Sequence, residues 1–143
     1  MLYGWEEMAG KPGNAVFDSE KLTINLGFVD LGQIDLLVRE GFYSNRSDFI
    51  RTAIRNQLTV QGEAIKNSIV RQTLDLGIRR FSRKDLEAVR NAGERLQIKV
   101  LGLATIADDV TPKLALDTIE SITILGALHA SDAVKIALAE RIH

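Results

Sequence analysis

Lys21, Thr23 and Asn25 stand two residues apart, and Leu22, Ile24 and Leu26 alternate with them without a fault. In extended backbone, successive side chains point to opposite faces, so the three polar groups share one face. Their types suit the edges of DNA bases. Lysine donates to the acceptors of guanine, asparagine bonds adenine at two points, and threonine offers a hydroxyl and a methyl for thymine. A second set is Ser44, Asn45, Arg46 and Ser47. Read as a helix start, it places first-turn N–H groups beside an arginine and two hydroxyls, an anion site suited to a DNA phosphate. A solvent-exposed strand and an ordinary capped helix would use the same residues, so neither set decides by itself.

The elements that carry these residues are legible. Lys21–Leu26 has the period of a half-buried strand. The chain on either side offers it no strand partner, and unpaired backbone donors and acceptors are costly. Asp30-Leu-Gly-Gln33 reads as a capping box opening a helix, with Leu31, Ile34, Leu37 and Val38 on one face and Gly41 as its left-handed end. Asn45 reads as the next N-cap. Phe49, Ile50, Ala53, Ile54 and Leu58 form the apolar face of the second helix, with Arg46, Arg51 and Arg55 outside it.

Strand, helix, turn and helix over residues 20–58 make a unit too small to close a core unaided. A second copy completes it: two strands pair antiparallel across a two-fold axis and four helices share one core. Leu22, Ile24, Leu26, Ile34, Leu37, Ile50 and Ile54 are the expected dimer core. Lys21, Thr23 and Asn25 then line the outer face of a two-stranded ribbon, which fits the major groove.

The stretch KLTINLGFVDLGQIDLLVREGFYSNRSDFIRTAIRNQL, about a quarter of the chain, resembles the ribbon-helix-helix DNA-binding domains of the CopG, MetJ/Arc-like type. The alternating strand, the G-x-x-x-N-R-S turn and the F-I-R-x-A-I-R helix carry the resemblance. It implies an obligate homodimer on double-stranded operator DNA, palindromic or tandem, that represses nearby promoters. Lys21, Thr23 and Asn25 would read bases, and Ser44 to Ser47 would hold phosphate.

If nucleic acid is a partner, charge places it at the middle of the chain. The net charge is −1 overall, but residues 21–58 carry five Lys/Arg against four Asp/Glu and residues 59–96 eight against five, while both ends are acidic. Arg71, Arg79, Arg80, Arg83 and Lys84 make the second stretch positive, as phosphate contacts flanking the operator or as solvated charge.

The C-terminal half repeats with a period of 24. Ile98/Ile122, Leu101/Leu125, Gly102/Gly126, Asp108/Asp132, Val110/Val134, Leu114/Leu138 and Ala115/Ala139 are identical, and a weaker copy begins at Leu74. Each copy runs from an alternating apolar segment into a helical pattern. The expectation is an α+β chain: an arm over 1–19, the DNA-binding domain over 20–58, a helical linker over 59–72 and a β-α repeat domain over 73–143. That domain is a short parallel sheet with helices on one face. Gly102 and Gly126 are expected at strand exits, Asp108 and Asp132 as helix caps. Two open sheet edges would serve oligomerisation to a tetramer or higher, or the half would serve as a sensor.

Nothing in the sequence carries a reaction. There is no cysteine, and His129 and His143 form no metal motif. The AGKPG stretch fails as a phosphate loop, because Trp5 replaces the first glycine and Pro12 follows the lysine. No signal peptide or membrane span is legible. The expected protein is a cytoplasmic, cofactor-free, non-enzymatic regulator. Plasmid partition, relaxosome accessory work, antitoxin action and a purely structural role use the same features.

Overall fold

The computed structural model describes residues 19–143, so the expected arm lies, Ser19 apart, outside the described residues. The chain forms two units that meet between Val60 and Gln61.

In the first unit, residues 21–27 form no ladder among the described residues and lead into α1, Phe28–Arg39. The helix begins three residues earlier than the capping-box reading expects. Gly27, extended at φ −64° and ψ 153°, is its N-cap, and no side chain caps it. Asp30 instead lies inside the first turn, where a carboxylate is favoured by the helix dipole. Gln33 Nε2 donates to the carbonyl of Val29 at 3.2 Å. Gly41, at φ +85°, lets the chain turn back after α1, a conformation that costs a side chain-bearing residue energy. Then α2 runs from Arg46 to Val60.

Among the described residues of this unit, Ile34 is the buried hydrophobic one. Leu37, Val38, Phe49 and Ile50 are half-buried, while Ile54 and Leu58 are exposed. The facing stripes of the two helices thus make half of a core.

The second unit opens with α3, Gly62–Gln72, which ends at Thr73 in the left-handed conformation. Three strand–helix pairs follow: β1 (Asp75–Phe81) with α4 (Arg83–Asn91), β2 (Leu96–Ile106) with α5 (Pro112–Thr118), and β3 (Ile119–His129) with α6 (Asp132–Ala137). A 3-10 turn, Ala139–Arg141, follows. The sheet is parallel in the order β1-β2-β3, as the repeat leads one to expect. Its core gathers Phe81, Ile98, Val100, Ala104, Ile106, Ile119 and Ile122 from the strands with Leu86, Leu114, Ala115 and Val134 from the helices.

Three expectations about the repeat are corrected. The glycines are not strand exits. Gly77, Gly102 and Gly126 lie inside their strands, in register with one another, at φ +121°, +139° and +124°. The strands continue past them because all three kink at the same level and the ladder is kept.

The helix caps are not the aspartates. Ser82, Thr111 and Ser131 accept from the backbone N–H groups of Asp85, Leu114 and Val134 at 3.0, 3.1 and 3.2 Å. A short hydroxyl just before the first turn reaches those donors, whereas Asp132 is already helical and Asp108 precedes the turn.

Finally, the two sheet edges are not equally open. The last residues cover part of the β3 edge: Ile142 bridges Ile122, and the His143 N–H donates to the Ile122 carbonyl at 2.7 Å.

Candidate nucleic-acid interface

The two candidate sets lie in the first unit. Lys21, Thr23 and Asn25 are exposed in the extended segment that leads into α1. So are the apolar residues that alternate with them: Leu22, Ile24 and Leu26 are 81%, 62% and 40% exposed. Three large aliphatic side chains in water represent about 1.5–3 kcal/mol each of unrealised burial.

The turn before α2 is built as the sequence implies. Asn45 Oδ1 accepts from the Asp48 N–H at 2.8 Å, and the Asp48 carboxylate accepts from the Ser44 N–H at 2.9 Å. The reciprocal pair closes the N-terminus of α2 in the manner of a capping box shifted by one residue. Tyr43 packs edge-on against Phe49, with ring centroids 5.0 Å apart, and fixes the angle at which the chain enters the helix.

Two carboxylates shape the candidate phosphate site. Asp48 faces the loop, and Asp35 of α1 takes the Arg46 guanidinium. Arg46 Nε donates to Asp35 Oδ1 at 2.8 Å and Nη2 to Oδ2 at 2.9 Å, a bidentate pair that ties α1 to α2. Hydrogen bonding from Arg46 holds the Asp35 carboxyl below its ordinary pKa, and the same bond holds the guanidinium proton more tightly. The cation of the site is therefore engaged within the chain, and a phosphate that recruits it exchanges with a carboxylate.

Asp35 is the residue that the sequence reading missed. Its signal was available: a carboxylate on the polar side of the first helix, with an arginine at the start of the second. The Asn45 cap and the exposure of Ser44 and Ser47 fall where expected. The basic residues of the second unit are distributed differently. Arg79 pairs with Asp75 and lies over the Phe81 ring, and Arg83 pairs with Glu87 at 3.3 Å, so these two guanidinium groups have partners within the chain.

Among the described residues, no cluster of His, Cys, Asp and Glu could hold a metal ion. No helix among them is long and apolar enough to cross a membrane.

Comparison with known proteins reaches well beyond residues 21–58. The model of the ribbon-helix-helix transcriptional regulator family matches residues 17–135, which takes in most of the repeat unit as well as the candidate interface. A protein of Methanocaldococcus jannaschii described as uncharacterized is 40% identical over 40 residues, 28% of this chain and 41% of that relative's length. No solved structure matches. The match over residues 17–135, which takes in the alternating segment and the two helices after it, places the chain in the ribbon-helix-helix family of transcriptional regulators, DNA-binding proteins that generally dimerise.

Proposed function

We propose that the protein is a sequence-specific repressor of the CopG type. It acts as a homodimer whose paired Lys21–Leu26 segments enter the major groove. The observation that carries this reading is the alternation at residues 21–26: the polar residues suit base edges, and the apolar residues between them are exposed.

Pairing across a two-fold axis turns Leu22, Ile24 and Leu26 onto the half-built core of Ile34, Leu37, Ile50 and Ile54. It leaves Lys21, Thr23 and Asn25 outward, repeated on the second strand. Backbone phosphates on either side would meet the α2 N-termini at Ser44 to Ser47, where Arg46 leaves Asp35 to take them. The repeat unit supports assembly of the regulator, and no residue constellation supports catalysis. On this reading the protein works in the cytoplasm.

The test is fluorescence anisotropy with the promoter region upstream of the protein's own gene against a scrambled duplex, at two salt concentrations. Tight binding to the native duplex that persists at the higher salt is expected. Equal, weak binding to both that collapses with salt would overturn base reading and leave the N-terminal unit a dimerisation device.

A further inference from the structure

The sheet of the second unit ends differently on its two sides. Beyond β3 the chain closes on itself. In addition to the Ile142 and His143 contacts, Ile124 donates to the His143 carbonyl at 3.5 Å. The Arg141 guanidinium donates to the carbonyls of Leu116 and Ile119, both at 2.8 Å. Beyond β1, no strand pairs among the described residues.

β1 is seven residues long, and five of them are exposed, including Leu76 at 71% and Ile78 at 42%. An edge of that length usually carries a proline, a bulge or repelling charges to prevent pairing. β1 has no proline and no register shift against β2. Of its three charged residues, Asp75 and Arg79 lie two residues either side of Gly77, and Arg80 lies on the same face as Leu76 and Ile78.

We infer that β1 pairs antiparallel with β1 of a second copy of this chain, about a two-fold axis through Gly77. In that register Asp75 stands opposite Arg79 of the second copy, and Leu76 opposite Ile78. Both charge pairs are attractive and both apolar pairs lie on one face, where cross-strand neighbours stabilise a sheet. The Gly77 carbonyl is directed at Gly102 of β2, so the alternation of the ladder turns the backbone groups of Leu76 and Ile78 outward, available to the second copy.

Gly77 itself then meets Gly77 of the second copy in a non-hydrogen-bonded pair, where Cα atoms approach to about 4.5 Å. The place of its missing side chain is open within the chain. At Gly102 and Gly126 the same place is filled by the carbonyl of the preceding strand's glycine.

The two-fold arrangement also follows from what is closed. A head-to-tail array would need a β3 edge free along its length, and Ile142 and His143 occupy that edge at Ile122 to Ile124. Pairing of one β1 edge with another uses up that edge in both copies, so this contact by itself joins two sheets and no more. The inference uses no residue of the DNA interface and goes beyond the repressor reading.

The experiment uses the whole 143-residue chain, which has no cysteine. Asp75→Cys and Arg79→Cys are introduced together, and the protein is oxidised and run on a non-reducing gel. Within one chain these positions are four strand residues apart, about 13 Å, beyond the reach of a disulfide. Across the pair they are directly opposite. A covalent dimer is expected, while a Leu125→Cys chain, substituted on the open sheet face, remains monomeric on the gel.

Hydrogen exchange on the unmodified chain provides a readout free of substitution, with slow exchange expected at the Leu76 and Ile78 amides. Cross-linking through Leu125→Cys alone would overturn the proposal in favour of face-to-face packing. Slow exchange without the Asp75–Arg79 cross-link would overturn it in favour of another segment on the edge. Fast exchange with no cross-link would show the edge unpaired. Loss of operator binding with the cross-link intact would count against the repressor reading alone.

Discussion

A Cβ on Gly102 would overlap the carbonyl oxygen of Gly77, the residue beside it in β1. Gly126 stands in the same relation to Gly102. The three strands are stacked through glycine backbones, each at a positive φ that a side chain resists.

Gly102→Ala and Gly126→Ala combine backbone strain with a clash against main chain that cannot move aside. Each is expected to destabilise the second unit by about 2–6 kcal/mol. Gly77→Ala carries strain without an intrachain clash and is expected to cost about 1–3 kcal/mol. Urea unfolding followed by circular dichroism checks the order.

Lys21→Ala, Thr23→Ala and Asn25→Ala made together should reduce binding of the native operator to the level of a scrambled duplex. Each good base contact contributes about 1–3 kcal/mol of discrimination. All three side chains are exposed in the single chain, so helix content should be unchanged. An unaltered footprint would show that bases are read elsewhere.

Ile24→Asp is expected to abolish pairing of the N-terminal segments, because it places a carboxylate in the proposed shared core. DNA binding should be lost even at low salt. A variant that still binds its operator and keeps the wild-type oligomeric mass by light scattering would mean that the strand faces are inverted.

Asp35→Asn removes the carboxylate that holds Arg46. Affinity for DNA of any sequence should rise, and the dependence of log K on log salt should steepen by about one phosphate contact. Anisotropy titrations at several salt concentrations read both effects. If Arg46 does not meet phosphate, the slope will not change.

Acid should weaken the second unit through Asp85. Its carboxyl is held below the ordinary value, first by the Ser82 backbone N–H and then by the Ser82 hydroxyl. A lowered folded-state pKa adds stability above the unfolded value, about 3.9, and that stability is lost as pH falls through the folded value. Asp85→Asn should flatten this acid limb in pH-dependent urea titrations. Ser82→Ala should cost about 1 kcal/mol at neutral pH through loss of the cap.

The two helices of the N-terminal unit were legible because their signals are local: the glycine at position 41 and the Asn45 cap act over a few residues. The alternation at residues 21–26 is equally local, but it forms no strand among the described residues. The spacing of 24 between Gly102 and Gly126 likewise announced a strand–helix repeat. Only the tertiary structure decided what those residues touch. Gly102 looked like a turn because a glycine inside a strand normally weakens it. Its reason is the Gly77 carbonyl, supplied by a strand 25 residues earlier. Arg46 looked free because Asp35 reaches it only once α1 folds back on α2. The β3 edge looked open because the closing segment, Ile142 and His143, arrives there only through the path of α6 and the turn after it. Sequence periodicity carries the backbone's local preferences, whereas contacts between distant segments depend on how the units pack.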